Sequence, residues 1–250
     1  MRRLICALTL LLALAPATAA ERVVVLTPDV ADIVVAIGAA RDVVGRDRSA
    51  TQPALQAAQE IGFFRNLNAE TIARLKPTLV LGSATAHPAS IWRQLDGLQI
   101  RTAEVSSRED GRDFATGIRR IGQLLGRVDQ ADRLARDWQA GMREHPATGI
   151  RYAISYDGRL VAGRHTAADA LIRAAGGINV AAGLSGIKAL SRDAWQTLKP
   201  DVIILCTHTA AVHGGADAFR QRGRVHLLPA SDAMMISIRS PDVVQRLRRL

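Results

Sequence analysis

Apolar residues in this 250-residue chain follow two periods: short unbroken runs, and longer stretches in which apolar positions return every three or four residues. Val23, Val24, Val25 and Leu26 form the first run, and Thr27-Pro28-Asp29 ends it. Residues 30–37 then take helical spacing and stop at Gly38, a pattern that predicts strand, turn, helix and glycine stop. Val43-Val44-Gly45 predicts a second strand. Further strands are expected at 78–81 and 201–205, whose apolar runs suit parallel strands covered on both faces. Residues 152–156 predict another strand, whose last residue, Tyr156, either approaches the cleft or, by default, is buried in the sheet, and 166–175 a helix stopped by Gly176-Gly177. Between these groups, residues 113–144 lack proline and keep Phe114, Ile118, Ile121, Leu125, Val128, Trp138 and Met142 at helical spacing. One long helix, ended by His145-Pro146, is the simplest prediction.

The pattern also repeats itself. Leu67-Asn68-Ala69-Glu70, leading to Leu75-Lys76-Pro77-Thr78-Leu79-Val80-Leu81, returns 123 residues later as Leu190-Ser191-Arg192-Asp193, leading to Leu198-Lys199-Pro200-Asp201-Val202-Ile203-Ile204. That interval is too long for a solenoid unit and suits a lobe. Asn68 and Ser191 are predicted helix N-caps, with Glu70 and Asp193 in the first turns, where carboxylates complement the helix dipole. Each helix must end before its Lys-Pro, because proline disfavours helical geometry in the residue before it. The expected fold class is therefore α/β: two similar lobes with mainly parallel sheets, joined by one long backbone helix. The expected boundaries are an N-terminal lobe at 20–112, a linking helix at 113–145 and a C-terminal lobe at 146–250. A single helix permits small tilts only, so the cleft between the lobes should be largely preformed. The same offset sets Arg65 against Lys188, two cations expected to face each other across the cleft.

Composition narrows the setting. Met1-Arg2-Arg3, an apolar run too short to span a bilayer, and Ala17-Thr18-Ala19-Ala20 have the order of a signal peptide over residues 1–19. Its removal leaves a soluble chain in which Cys206 is the sole cysteine, so stability must come from packing rather than a disulfide. The remaining 31 basic and 23 acidic residues leave a net charge of +8, which favours anionic partners. Nucleic acid is excluded as a partner, because the arginines are dispersed with few aromatics between them and the chain carries an export signal. No Gly-x-Ser-x-Gly elbow, Walker A loop or Gly-x-Gly-x-x-Gly fingerprint occurs and the histidines lack zinc spacing, so the expectation is no enzyme.

These features resemble the helical-backbone class of periplasmic solute-binding proteins, which serve bacterial ABC importers of haem, cobalamin and iron siderophores. Within that class the resemblance is to the periplasmic haem-binding proteins. It is carried by Ile61-Gly62-Phe63-Phe64-Arg65-Asn66-Leu67, Ala162-Gly163-Arg164-His165-Thr166, Gly176-Gly177-Ile178-Asn179 and Gly223-Arg224-Val225-His226, and it covers the whole mature chain. It implies a periplasmic protein that binds haem as transported ligand and hands it to an inner-membrane ABC permease dimer with its ATPase, downstream of an outer-membrane haem receptor. Acidic residues on each lobe commonly meet permease arginines in this class, which makes Glu60, Glu70 and Asp193 docking candidates. The same-class alternative is a corrinoid or ferric-siderophore binder, and the other alternative is a signalling or scaffold protein without transport.

The haem-binding relatives place a tyrosine straight after the glycine that matches Gly62, as axial ligand of ferric iron. Here that residue is Phe63, which has no donor atom. The resemblance then leaves Phe63 to stack on a porphyrin and Arg65 and Lys188 to take its carboxylates, with help from Arg239. Iron is left to an imidazole, with His165 or His208 the axial candidates and His87 a further ligand-binding residue, since histidine nitrogen ligates haem iron well. His87 and His208 follow apolar strands, at the sheet end where open α/β folds bind ligands. Met234 and Met235 are expected to pack, although a thioether can ligate haem.

Overall fold

The computed structural model describes residues 21–206 and 219–250. The predicted export segment and His208 lie outside that range. The N-terminal sheet is wholly parallel, with β1 (Val23–Val25) at its centre, β2 (Val43–Arg46) and β3 (Gln59–Glu60) on one side, and β4 (Leu79–Gly82) and β5 (Thr102–Glu104) on the other. All three residues of β1 are fully buried, because helices cover both faces. Helix α1 (Pro28–Ala36) follows β1 with proline in its first turn and ends before Gly38, at φ +77°. Helices α2 (Ala69–Ala73) and α3 (Ile91–Gly97) complete the covering layers.

The C-terminal sheet is mixed. Strands β6 (Arg151–Ser155), β10 (Val202–Cys206) and β11 (Arg224–Leu228) are parallel, whereas β7 (Leu160–Ala162) and β9 (Ile187–Ala189) extend it antiparallel and the two-residue β8 (Ile178–Asn179) pairs with β6. Helices α6 (Ala167–Ala174), α7 (Arg192–Leu198), α8 (Ala230–Ala233) and α9 (Ser240–Arg248) pack around it. Thr166 caps α6 by accepting from Asp169 N at 3.2 Å. Cys206 is buried, and burial, with Asp157 adding to it, pushes its thiol up to about 12, outside the range of a reactive thiolate.

The internal repeat survives as matching hydrogen bonds. The side chain of Asn68 accepts from Thr71 N at 2.9 Å at the start of α2, and Ser191 accepts from Ala194 N at 3.2 Å at the start of α7. Lys76 and Lys199, each before its proline, both take left-handed backbone, φ +47° and +44°. One arginine per lobe closes the helix end: Arg22 donates to the carbonyls of Lys76 (3.1 Å) and Leu75 (2.6 Å), and Arg151 to those of Lys199 (3.0 Å) and Leu198 (2.9 Å). The sequence repeat does not extend to these arginines, which sit 129 residues apart rather than 123.

The connection between the sheets differs from the single helix expected over 113–145. It is two helices, α4 (Phe114–Leu124) and α5 (Val128–Gly141), folded against each other. Gly126, at φ +63°, ends the first, and the absent side chain of Gly122 admits the second: a Cβ there would stand 2.2 Å from that of Ala131. Phe114 and Trp138 pair across the hairpin at 5.0 Å between ring centroids, and Arg119 Nε donates to Asp132 at 2.9 Å. Helical spacing runs unbroken through both helices, which is why periodicity reads them as one. Helix α5 reaches the C-terminal lobe, where Trp138 Nε1 donates to Ser237 O at 2.9 Å. The largest buried cluster runs from Val23 and Leu79 through Ile118 and Trp138 to Ile154 and Ile204, so one continuous core ties the two sheets together.

Candidate ligand-binding site

In the N-terminal sheet the chain leaves β1 toward β2 on one side and returns to β4 on the other, which makes the carboxyl end of β1 a topological switch point. The carboxyl ends of the C-terminal parallel strands face the same space. Between the lobes lies a cavity of about 720 Å³, within the range of small-molecule sites. Its N-terminal wall is Pro28 and Asp32 after β1, the loop 49–53 after β2, and Phe63, Phe64 and Arg65 after β3. Its C-terminal wall is Tyr156 after β6, and Ala230, Met234, Met235 and Arg239 after β11. A smaller polar cavity of about 110 Å³ adjoins it, sharing Arg65, Met234 and Met235 and reaching Asp29, Ser83 and His87.

The loop carrying Phe63 is pinned from both sides. Buried Asp47 accepts from Phe64 N at 2.6 Å and from Ser49 N at 2.8 Å, while Phe64 O accepts from His87 N and His87 O from Leu67 N. Burial pushes the Asp47 carboxyl above its usual range, opposed by those hydrogen bonds. Phe64 is buried and Phe63 is 38% exposed, the two rings tilted at 4.6 Å. The Arg65 guanidinium carbon sits 5.1 Å from the centroid of the Phe64 ring, which orients the cation along the wall.

Arg239 supplies the cation of the opposite wall. Its Nη1 donates to Asp32 Oδ2 at 2.8 Å across the cleft and its Nε to Asp232 Oδ1 at 3.3 Å within its own lobe. Gln52 donates to the other oxygen of Asp32. At the floor of the smaller cavity, Asp29 is buried, its Oδ1 without a hydrogen-bond partner. Burial raises its carboxyl above the usual range, partly offset by the hydroxyls of Thr27 and Ser83.

The expected facing pair is therefore rearranged. Lys188 is exposed on β9 and lines neither cavity, whereas its neighbour Ile187 lines the smaller one. Successive side chains of a strand point to opposite faces, so Ile187 turned inward carries Lys188 away. Arg239 stands where Lys188 was expected. His165 is exposed at φ +64° in the loop before α6 and lines neither cavity, and His87 lines the smaller one only. Of the two places open to Tyr156, the sheet and the cleft, the structure shows the second: it lies one residue past the end of β6 and lines the larger cavity. Asp32 and Gln52 escaped sequence reasoning, whereas Tyr156 could be named from its position at the end of an apolar run.

A family model for periplasmic binding proteins matches residues 23–233. The chain belongs to the periplasmic binding protein family. Among solved structures, this family member is similar to the periplasmic heme-binding protein RhuT from Roseiflexus sp. RS-1, at 30% identity over 92% of this chain and 97% of that one, with a TM-score of 0.81. It is similar at 31% identity, with the same coverage and a TM-score of 0.79, to the periplasmic heme-binding protein BhuT, solved in complex with two hemes. A periplasmic heme-binding protein from Pseudomonas aeruginosa matches at 26% identity over 91% of both chains, with a TM-score of 0.76. No curated protein matches this periplasmic binding protein in sequence. The family has the helical-backbone architecture found here, two lobes bridged by helix rather than by flexible strands. No helix among the described residues is long and apolar enough to cross a membrane.

Proposed function

We propose that this periplasmic binding protein captures haem in the periplasm, after export directed by residues 1–19, and delivers it to an inner-membrane ABC permease. The observation that carries this reading is the cavity of about 720 Å³, with an aromatic and thioether lining and one arginine from each lobe, in a chain 30% identical to a heme-binding protein along 92% of its length. Phe63 stacks on the macrocycle, and Arg65 and Arg239 take its two carboxylates through charge-assisted hydrogen bonds. Glu70 and Asp193, in the first turns of the repeated helices, offer one exposed acid per lobe to a two-fold permease, which its ATPase drives; an outer-membrane receptor supplies the haem. The role is capture and transfer, without catalysis.

Titration of the mature chain with hemin, followed at the Soret band, tests this. A saturable shift is expected, and its absence overturns the haem reading. The absence of a donor atom on Phe63 favours a second reading, a corrinoid or ferric siderophore whose metal needs no protein ligand. Quenching of tryptophan fluorescence by cobalamin or a ferric siderophore, with hemin silent, selects it.

A further inference from the structure

We infer that Asp47, which lines neither cavity, is the positioning residue of the N-terminal wall: through Phe64 N it sets where Phe63 and Arg65 stand in the cleft. For its ligand this inference rests on the haem reading, to which it adds the group that holds the recognition loop in place.

The loop needs such a group because its backbone runs out of sheet. Strands β2 and β3 pair Gly45 with Gln59 and Arg46 with Glu60. The pairing carries on past both strands, where Ile61 N donates to Arg46 O at 3.0 Å and Arg48 N to Gly62 O at 2.8 Å. At Gly62 the backbone turns to φ +106°, which residues with a side chain rarely adopt, and the ladder stops. Phe64 is buried, so its N–H has left the sheet without reaching water, and an unpaired buried donor costs as much as a lost hydrogen bond. Asp47 Oδ2 meets it at 2.6 Å.

Asp47 can hold that donor because it is itself anchored at the switch point. Its own N–H donates to the carbonyl of Val25, the last residue of β1, at 3.1 Å. Its other oxygen accepts from Ser49 N at 2.8 Å and from the Ser49 hydroxyl, at the start of the loop 49–53 on the same wall. One fully buried carboxylate thus fixes the end of β1 to the loops after β2 and β3, and three donors offset the cost of burying its charge. From Phe64 the constraint passes to both neighbours. The Phe63 ring lies 4.6 Å from that of Phe64, and the Arg65 guanidinium carbon 5.1 Å from the Phe64 centroid, so a shift of Phe64 moves both ligand-facing groups. Asparagine offers one oxygen and one NH₂ in place of two oxygens, so it must turn a donor toward either Phe64 N or Ser49. Asp47→Asn therefore keeps the shape and breaks the positioning.

Amide exchange and hemin titration of the wild type, Asp47→Asn, Arg65→Ala and the double variant test this. In the unliganded protein, exchange at Phe64 should quicken about tenfold or more in Asp47→Asn, while the amides of β1 and β4 keep their protection. Hemin affinity should fall about tenfold in Asp47→Asn. The double variant should lose far less than the product of the two single losses, because Asp47 acts through the loop that carries Arg65. Unchanged exchange at Phe64, or single losses that multiply, overturns the positioning role. So does wild-type hemin affinity in a variant whose urea midpoint has fallen, the mark of an acid that serves the fold alone. Should circular dichroism show Asp47→Asn unfolded, Ser49→Ala removes one donor to the same carboxylate and leaves the charge in place. Its smaller loss of hemin affinity should vanish once Arg65 is alanine, and a loss that persists there overturns the role. No saturable shift in the wild type overturns the haem reading instead, and exchange at Phe64 still decides whether Asp47 holds the loop.

Discussion

Asp32 Oδ2 and Arg239 Nη1 meet at 2.8 Å across the cleft, a carboxylate of the first helix holding a guanidinium that comes 207 positions later. Asp32 is largely buried and Arg239 about half exposed. The contact both ties the lobes together and occupies the cation that the C-terminal wall offers to a ligand carboxylate. Removing the acid should therefore weaken the fold and free the site. Asp32→Asn is expected to lower unfolding free energy by about 1 kcal/mol, the scale of a partly exposed pair, and to tighten hemin binding several-fold. Urea unfolding and hemin titration of the same variant check the two signs. Weaker binding would show that Asp32 positions Arg239 rather than competing for it.

The duplicated arginines make a cleaner case for structure without function. Arg22 and Arg151 each donate to two helix-end carbonyls at the base of their lobes, among residues that line neither cavity. Alanine at either should cost about 1–2 kcal/mol, leave hemin affinity unchanged, and add in the double variant, since the two share no partner. Chemical denaturation of the three variants measures it.

The helical hairpin depends on Gly122. A methyl there would stand 2.2 Å from Ala131 Cβ and 2.9 Å from Arg127 O, so α4 and α5 would have to part. Gly122→Ala is expected to destabilise by about 2–3 kcal/mol, despite the better helix propensity of alanine. A thermal midpoint at or above that of the wild type would mean the helices do not pack face to face.

Asp29 sets a pH dependence. Burial holds its carboxyl above the ordinary 3.8, so between that value and the raised one the native state keeps a proton that the unfolded chain releases. Stability from this group accordingly falls as pH rises through that window, and the loss is complete above it. Asp29→Asn keeps the shape without the charge. It should be more stable than the wild type at pH 7, with the gap closing toward pH 4, as followed by urea midpoints at the two values.

Phe63 allows a test of the opposite wall. Phe63→Tyr should create a phenolate-to-iron charge-transfer band in the hemin complex, because position 63 borders the cavity. The absence of such a band would place the ring of residue 63 away from the iron.

Much of the fold was legible before any coordinates. Apolar runs announced β1, β4, β6 and β10, since strands buried on both faces can carry nothing else, and the caps Asn68 and Ser191 act where their spacing put them. The linker was misread because a helical period records which face is buried and is blind to a fold-back, which depended on Gly126 leaving the right-handed region and on the bare surface of Gly122. Arg65 could be named as a cleft cation from the repeat offset and Arg239 from its loop. Lys188 could not be rejected, because a one-residue difference in strand register decides which face a side chain takes.

What the sequence by itself determined, then, is local and periodic: the strand and helix segments, their duplication 123 residues apart, the α/β class and the basic charge. Which side chains share the cleft was decided by tertiary structure alone. Asp32 with Arg239, and Phe63 with Tyr156, are brought together by two sheets whose carboxyl ends meet across a common core, and contacts between residues so far apart along the chain leave no period or spacing to read.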